Sequence, residues 1–157
     1  MKVTLLVVGK TDEPFIKEGI NYYIRRLKHY VDFKLEIIPD VKKGRKSSIT
    51  QQKISEGAKI TSQNLSGKEL HLFDEQGDSY SSREFAEFLE KKMLSGPKEL
   101  VFVIGGPYGF SEEVYEKASS KISLSRMTFS HQLARLLCVE QIYRAFTIIN
   151  GEPYHHD

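Results

Sequence analysis

Two glycines that follow an apolar run mark the most promising place for chemistry in this chain. Residues 100–104 are β-branched or otherwise apolar and predict a buried strand, which Gly105, Gly106 and Pro107 end abruptly. Glycine lets a ligand approach bare backbone, and open α/β sheets bind ligands where their strands end. We therefore expect a ligand site at Gly105.

The spacing of these glycines does not fit a phosphate-binding loop. A Walker A loop needs Lys and Ser or Thr after its last glycine, whereas Phe110 and Ser111 follow Gly109, and the dinucleotide fingerprint needs G-x-G-x-x-G. A second loop, residues 124–129, is rich in apolar side chains and also holds Arg126 and Thr128. An apolar loop beside bare backbone suits an adenine ring, although a tight turn that only ends a strand is the alternative.

The segment from about 130 to 149 predicts an almost wholly apolar helix, which favours burial against the core on one side and a partner on the other. Arg144 is its best candidate for function, because a guanidinium can clamp a phosphate with two hydrogen bonds. Arg135 and Glu140 predict a buried or interfacial pair. Their spacing of five residues is poor for one helix face, so a pairing between two chains is open.

Proton transfer near neutral pH points to histidine. His131 begins the last helix and His155 lies in the tail, so both are candidates for a general base, with Glu140 a weaker one. The tail ends in His155, His156 and Asp157, but adjacent histidines point apart and a terminus is mobile. We therefore expect no metal site there.

Length and composition predict a single domain over residues 1–157. The only cysteine, Cys138, excludes a disulfide within the chain and is expected to be a packed, inert thiol. The apolar run at residues 3–8 is too short for a membrane span or a signal segment. These features predict a cytoplasmic protein.

Charge is distributed unevenly along the chain. Residues 1–50 hold 11 Lys and Arg against 6 Asp and Glu, a net charge of +5, whereas the whole chain carries +2. The basic residues cluster at Arg25 and Arg26 in the first helix and in the loop 40–48, which contains Lys42, Lys43, Arg45 and Lys46. Such a face can engage phosphates or can simply be solvated.

Strand-like and helix-like segments alternate along the chain, which predicts an α/β fold with a mostly parallel sheet flanked by helices. Asp12 is expected to cap the first helix, and Ser111 a short acidic one. Ser81 with Glu84 forms a predicted capping box. Residues 74–77 are expected to turn the chain after the third strand.

The order of these segments resembles the RlmH-type rRNA large-subunit methyltransferases of the knotted SPOUT superfamily, over essentially the whole chain. The resemblance rests on residues 1–3 to 8–10, 103–107, 124–132, 143–146 and 153–155. It implies a C-terminal trefoil knot and S-adenosylmethionine as cofactor. The implied cofactor-binding residues are Phe73, Gly105, Leu124, Ser125, Arg126, Met127, Thr128 and Phe129.

The same resemblance implies a homodimer built on the last helix. Tyr154 and His155 would meet the cofactor of the partner chain, and we expect Arg144 to help hold the target base. The implied reaction is methylation of N3 of pseudouridine 1915 in 23S rRNA, and we expect the assembled ribosome to be the substrate because a chain of this size has no separate RNA-binding domain. The alternatives are methylation of another rRNA or tRNA position and a non-catalytic ribosome-binding module.

Overall fold

The computed structural model describes residues 1–40 and 48–157, and within them strands and helices alternate. The strands are β1 Lys2–Val8, β2 Asp32–Ile38, β3 Lys68–Ser79, β4 Glu99–Ile104 and β5 Ser120–Ser123. The helices are α1 Pro14–Leu27, α2 Ile49–Thr61, α3 Ser82–Ser95, α4 Glu112–Lys117 and α5 His131–Ile149. Residues 41–47 of the expected basic loop lie outside the described residues, so the role of Lys42, Lys43, Arg45 and Lys46 stays a prediction.

The described strands form one sheet in the order β2-β1-β4-β3-β5, and all their pairings are parallel. The predicted α/β class is therefore confirmed. Parallel strands buried on both faces are continuous apolar runs, and β4 is buried at every residue. The carboxyl ends of β1 and β4 meet at one edge, where Ile104 pairs with Val7 on one side and with Phe73, inside β3, on the other.

Helices cover both faces of the sheet. One face packs the side chains of Leu5 and Phe102 against α1, α3 and α5, and the other packs Val103 against α2 and α4. The glycine inside α2 has a packing reason: a Cβ at Gly57 would lie 2.2 Å from Ser111 Oγ at the start of α4. Among the described residues, no helix is long and apolar enough to cross a membrane.

The predicted capping box at the start of α3 is confirmed. The Glu84 amide donates to Ser81 Oγ at 3.2 Å, and the Ser81 amide donates to Glu84 Oε2 at 2.6 Å. Ser111 does occupy the N-cap position of α4, but its buried hydroxyl has no partner among the described residues, because it faces the backbone of Gly57 instead.

The expectation that Asp12 caps α1 is wrong. Glu13 holds the N-cap position and Pro14 begins the helix, with no side-chain cap among the described residues. The Asp12 amide instead donates to Oε1 of Gln132 at 2.9 Å, which ties the start of α1 to the start of α5. A long-range contact has replaced the local one.

The expected turn at residues 74–77 is also wrong, because β3 continues through it to Ser79. Ile122 of β5 pairs with both Phe73 and Asp78, so the four residues between them, here called the β3 bulge, loop out of the ladder. A Cβ at Gly77 would lie 2.5 Å from the amide nitrogen of Ile122, so only glycine lets the β3 bulge lie this close to β5. The trefoil knot implied by the resemblance stays a prediction.

Candidate functional site

A cavity of about 370 Å³ opens beside the β3 bulge, where β4 and β5 end. Its walls come from the β3 bulge, the glycine loop after β4, the loop after β5 and the start of α5. Its size falls in the range of small-molecule sites, which open α/β sheets place at this edge. The lining residues are Phe73, Asp74, Glu75, Gln76, Ile104, Gly105, Gly106, Pro107, Gly109, Phe110, Tyr115, Leu124, Ser125, Met127, Phe129, His131 and Ala134.

Most of the residues expected to bind the cofactor line this cavity. They are Phe73, Gly105, Leu124, Ser125, Met127 and Phe129, and His131 joins them from the candidate bases. Arg126 and Thr128 belong to the same loop but are not among the lining residues, and both are exposed.

The glycine loop is more crowded than bare backbone suggests. A Cβ at Gly105 would lie 2.9 Å from the ring of Phe110, and one at Gly106 would lie 2.6 Å from Oε2 of the buried Glu56. A side chain at Gly105 would have to displace the Phe110 ring, and one at Gly106 would have to displace the Glu56 carboxylate. The main chain of Gly105 and Gly106 still borders the cavity.

The loop after β5 is shaped by serines. Ser123 Oγ donates to the Ser125 carbonyl at 3.1 Å, and the Met127 amide donates to Ser125 Oγ at 3.0 Å. These local bonds fold the loop so that Leu124 and Phe129 face the cavity. Met127 stands at the rim and is 75% exposed, so a large apolar side chain is left for a ligand or partner to cover.

The β3 bulge gives the cavity an acidic wall that the sequence interpretation missed. Asp74, Glu75 and Gln76 line it, and Tyr115 of α4 donates a hydrogen bond to Asp74 Oδ2. Burial, together with this hydrogen bond to Asp74, raises the pKa of Tyr115 to about 12, so the phenol stays a donor. The signal available in the sequence was the position of Asp74 and Glu75 directly after a predicted strand.

These walls suit a ligand with a flat apolar ring and a positive charge. Phe73, Leu124 and Phe129 offer apolar surface, the glycine loop offers main-chain groups, and the β3 bulge offers carboxylates. S-adenosylmethionine combines a purine ring with a sulfonium cation, so the residues present fit it.

The other candidate residues form a separate cluster on α5, here called the tail cluster. Glu140 Oε1 accepts hydrogen bonds from Arg144 at 2.6 Å and from the Tyr154 hydroxyl at 3.0 Å. The Arg144 guanidinium also lies 4.7 Å from the centre of the Tyr154 ring. The hydrogen bond to Glu140 is the main cause of the raised pKa of Arg144, while burial and the Tyr23 and Glu140 contacts raise the pKa of Tyr154.

Hydrogen bonding fixes the orientation of His155 within the tail cluster. Its Nδ1 lies 3.2 Å from Arg144 and its Nε2 lies 3.1 Å from Asp157. A guanidinium can only donate, so Nδ1 accepts and Nε2 carries the proton that is donated to Asp157. Arg83 of α3 holds Asp157 with two bonds of 2.6 Å. None of Arg144, Tyr154 and His155 lines the cavity of its own chain.

Arg135 does not pair with Glu140. Its buried guanidinium donates to the carbonyls of Val8 at 2.6 Å and Gly9 at 2.9 Å, where β1 ends. Desolvation by burial lowers the pKa of Arg135, and two bonds to carbonyl oxygens compensate for part of that burial. Arg135 thus ties α5 to the sheet, and the partner of Glu140 is Arg144 in the same helix.

Cys138 is fully buried, and burial raises its thiol pKa well above the ordinary value, in agreement with a packed, inert residue. Within residues 1–40 and 48–157, no group of three His, Cys, Asp or Glu side chains could hold a metal ion.

Sequence comparisons identify relatives along the full chain. The family described as "Predicted SPOUT methyltransferase" matches residues 1–155. The protein named "Ribosomal RNA large subunit methyltransferase H" is 55% identical in Parabacteroides distasonis and 56% in Porphyromonas gingivalis, and in each case the match covers 100% of both chains. Among solved structures, the SpoU methyltransferase AviRb from Streptomyces viridochromogenes, in complex with the cofactor AdoMet, is 14% identical over 96% of this chain and 59% of that chain, with a TM-score of 0.46.

The fold and the cavity define an α/β protein with a cavity of small-molecule size where parallel strands end. The sequence matches go further, and the chain belongs to the SPOUT methyltransferase family. The resemblance found from the sequence alone is therefore confirmed. Use of S-adenosylmethionine as the methyl donor agrees with membership of this family.

Proposed function

We propose that this chain methylates N3 of pseudouridine 1915 in 23S rRNA. The cavity is the observation that supports the proposal most, because most of the residues that the resemblance assigns to the cofactor line it. They are Phe73, Gly105, Leu124, Ser125, Met127 and Phe129. The name of the relatives, which are more than half identical, supports a target in the RNA of the large ribosomal subunit.

The reaction needs positioning more than covalent help from the protein. S-adenosylmethionine supplies an electrophilic methyl group whose leaving thioether is neutral, so alignment of the attacking nitrogen supplies much of the rate. Phe73, Leu124 and Phe129 would fix the purine against the glycine loop. A ligand or partner that covered the apolar rim at Met127 would exclude water from the reacting atoms.

The target nitrogen carries a weakly acidic proton that an acceptor must remove. His131 borders the cavity directly. The Nδ1 lone pair of His155 is occupied by Arg144, so His155 becomes a base once Arg144 exchanges that contact for an RNA phosphate. Glu140 already accepts bonds from Arg144 and Tyr154 and is the weakest acceptor of the three.

A homodimer would complete the site, because the tail cluster of one chain does not reach its own cavity. Leu133 and Leu137 of α5 are half-buried and stand in line with Gln141 and Arg144 at helical spacing. This stripe suits a second copy of the chain. The cavity of one chain would then face Tyr154, His155 and Arg144 of the other.

Mixed dimers test this arrangement. One variant carries Phe129→Asp, which spoils the cavity, and the other lacks residues 154–157. Each is expected to be inactive alone. Random mixing by co-expression should restore about a quarter of the parental activity, because half the dimers are mixed and each has one intact composite site. Mixed dimers without activity would contradict the composite site.

The ribosome is proposed as the substrate, which places the protein in the cytoplasm. The net charge of +5 over residues 1–50 gives salt-sensitive attraction without sequence choice, so the shape of the folded target must supply specificity. Methylation of naked 23S rRNA, isolated large subunits and whole ribosomes should be compared in parallel. Equal rates on all three would contradict this part of the proposal.

The nucleotide is tested by mapping rRNA methylation in a strain that lacks this protein. The methyl group at N3 of pseudouridine 1915 should disappear and return when the parent chain is supplied. Loss at another rRNA or tRNA position would identify a different SPOUT specificity. A full set of methylated nucleotides would favour a non-catalytic ribosome-binding module.

A further inference from the structure

The β3 bulge presents negative charge to the cavity without a matching cation. Asp74 and Glu75 line it, and no Lys or Arg does among the described residues. Neither carboxylate forms an ion pair within the described part of the chain. Lys121 contacts Tyr115 but does not line the cavity, and its Nζ lies 5.5 Å from the centre of the Tyr115 ring.

Neutral donors hold Asp74 in place. The backbone amide of Gln76 donates to Asp74 Oδ1 at 2.8 Å, and the Tyr115 hydroxyl donates to Asp74 Oδ2. These bonds orient the carboxylate without cancelling its charge, and each oxygen keeps a second lone pair for a ligand. Glu75 is exposed, so its field is screened more strongly by solvent.

The methyl donor and its product differ in charge. S-adenosylmethionine carries a sulfonium, an ammonium and a carboxylate, for a net charge of +1. S-adenosylhomocysteine has lost the sulfonium charge and is neutral overall. A fixed negative field inside the cavity therefore binds the two compounds unequally, even though their shapes are nearly the same.

We propose that Asp74, oriented by Tyr115 and Gln76, makes the cavity select the cationic methyl donor over the neutral product, with a smaller contribution from Glu75. The proposal rests on the cofactor assigned under the proposed function. Its consequence is that the spent cofactor leaves more readily than the fresh one, because methyl transfer removes the charge that the β3 bulge attracts.

Calorimetric titration of the full chain with each compound tests the proposal. The parent should bind S-adenosylmethionine more tightly than S-adenosylhomocysteine. Asp74→Asn should reduce that preference about three- to tenfold, because it weakens the binding of S-adenosylmethionine and leaves the binding of S-adenosylhomocysteine unchanged. Glu75→Gln should act in the same direction with a smaller effect, and the preference of the parent should decline as salt is raised.

Two further variants separate charge from shape. Tyr115→Phe removes one hydroxyl group that orients Asp74 but keeps the Asp74 charge, so the preference for S-adenosylmethionine should fall by less than in Asp74→Asn. Glu87→Gln removes an exposed charge on α3 outside the cavity and should leave both affinities unchanged. Thermal unfolding of each variant checks that the fold is retained.

Three results would overturn the proposal. If the parent binds neither compound, the cofactor assignment fails and the inference fails with it. If both compounds bind but Asp74→Asn and Glu75→Gln leave their affinity ratio unchanged, the cofactor assignment stands and the inference is wrong. If Tyr115→Phe or Glu87→Gln lowers the ratio as much as Asp74→Asn, the charge of Asp74 is not the cause.

Discussion

Where the strands of the sheet begin, carboxylates are matched by cations, whereas where the strands end they are not. At the first edge, Glu99 accepts from Thr4 at 2.6 Å and lies 3.0 Å from Lys68, while Glu69 lies 2.6 Å from Lys92. At the opposite edge, Asp74 and Glu75 face the cavity with no ion pair among the described residues. Matched charges stabilise the fold, and unmatched ones are left for a ligand.

The largest expected effect is a loss of cofactor affinity at the edge that holds the cavity, with little change in stability. Phe129→Ala removes an aromatic wall of the cavity and should weaken binding of S-adenosylmethionine by about thirtyfold, since a buried aromatic side chain contributes on the order of 2 kcal/mol. Titration calorimetry measures the loss. Stability should change little because Phe129 is only half-buried, and an unchanged affinity would remove Phe129 from the site.

Glu99→Gln should do the converse and lower the free energy of unfolding by about 2 kcal/mol while sparing cofactor affinity. Burial raises the pKa of Glu99, but the Thr4 and Lys68 contacts outweigh it and the net pKa is lowered. The stabilisation is therefore complete above the ordinary value of 4.5 and is lost as pH falls through the lowered pKa. Denaturant titrations should show parent and variant converging in acid, and a constant difference would contradict the assignment.

The buried His71 makes the stability of the protein depend on pH. Burial lowers its pKa from 6.5 to about 4, with Glu69 opposing and Lys92 assisting the shift. The folded state thus binds fewer protons than the unfolded state in this interval, so the parent should lose stability as pH falls from 6.5 towards 4. His71→Phe keeps packing against Phe88 and Phe102 and should lack this loss; parallel stability curves would show that His71 is not its source.

The smallest expected effect lies at the tail. The side chains of Arg83 and Asp157 are 54% and 68% exposed, so solvent screens their ion pair, which should contribute little to stability and should weaken with salt. A double-mutant cycle with Arg83→Ala and Asp157→Ala measures the coupling. A strong coupling energy that does not fall with salt would mean that a second chain buries this pair.

Local patterns sufficed to predict the frame of the molecule. The apolar runs at 3–8 and 100–104 became the two central strands, and Ser81 with Glu84 caps α3 as expected. The β3 bulge was missed because Asp and Gly favour turns and bulges alike. Only the pairing of Ile122 with two positions of β3 distinguishes the two outcomes, and that pairing is not local.

The candidate site was predicted in part for the same reason. The strand ends and the resemblance pointed to Phe73, Gly105 and the loop 124–129. The sequence did not indicate Tyr115 as a site residue because its partner, Asp74, lies 41 residues away in the chain. Arg135 was misassigned because its acceptors are carbonyls of Val8 and Gly9, and main-chain acceptors leave no mark in a sequence.

The strand order also dictates when the molecule can assemble during synthesis. β1 pairs with β4 from Lys2 and Glu99 onward, so the first strand emerges from the ribosome long before its second neighbour exists. Such distant pairing slows folding and prolongs the exposure of apolar strands. The cavity, bounded by residues as far along as Ala134, is completed only when most of the chain has been made, so products truncated before β4 would lack both β4 and β5 and have no site.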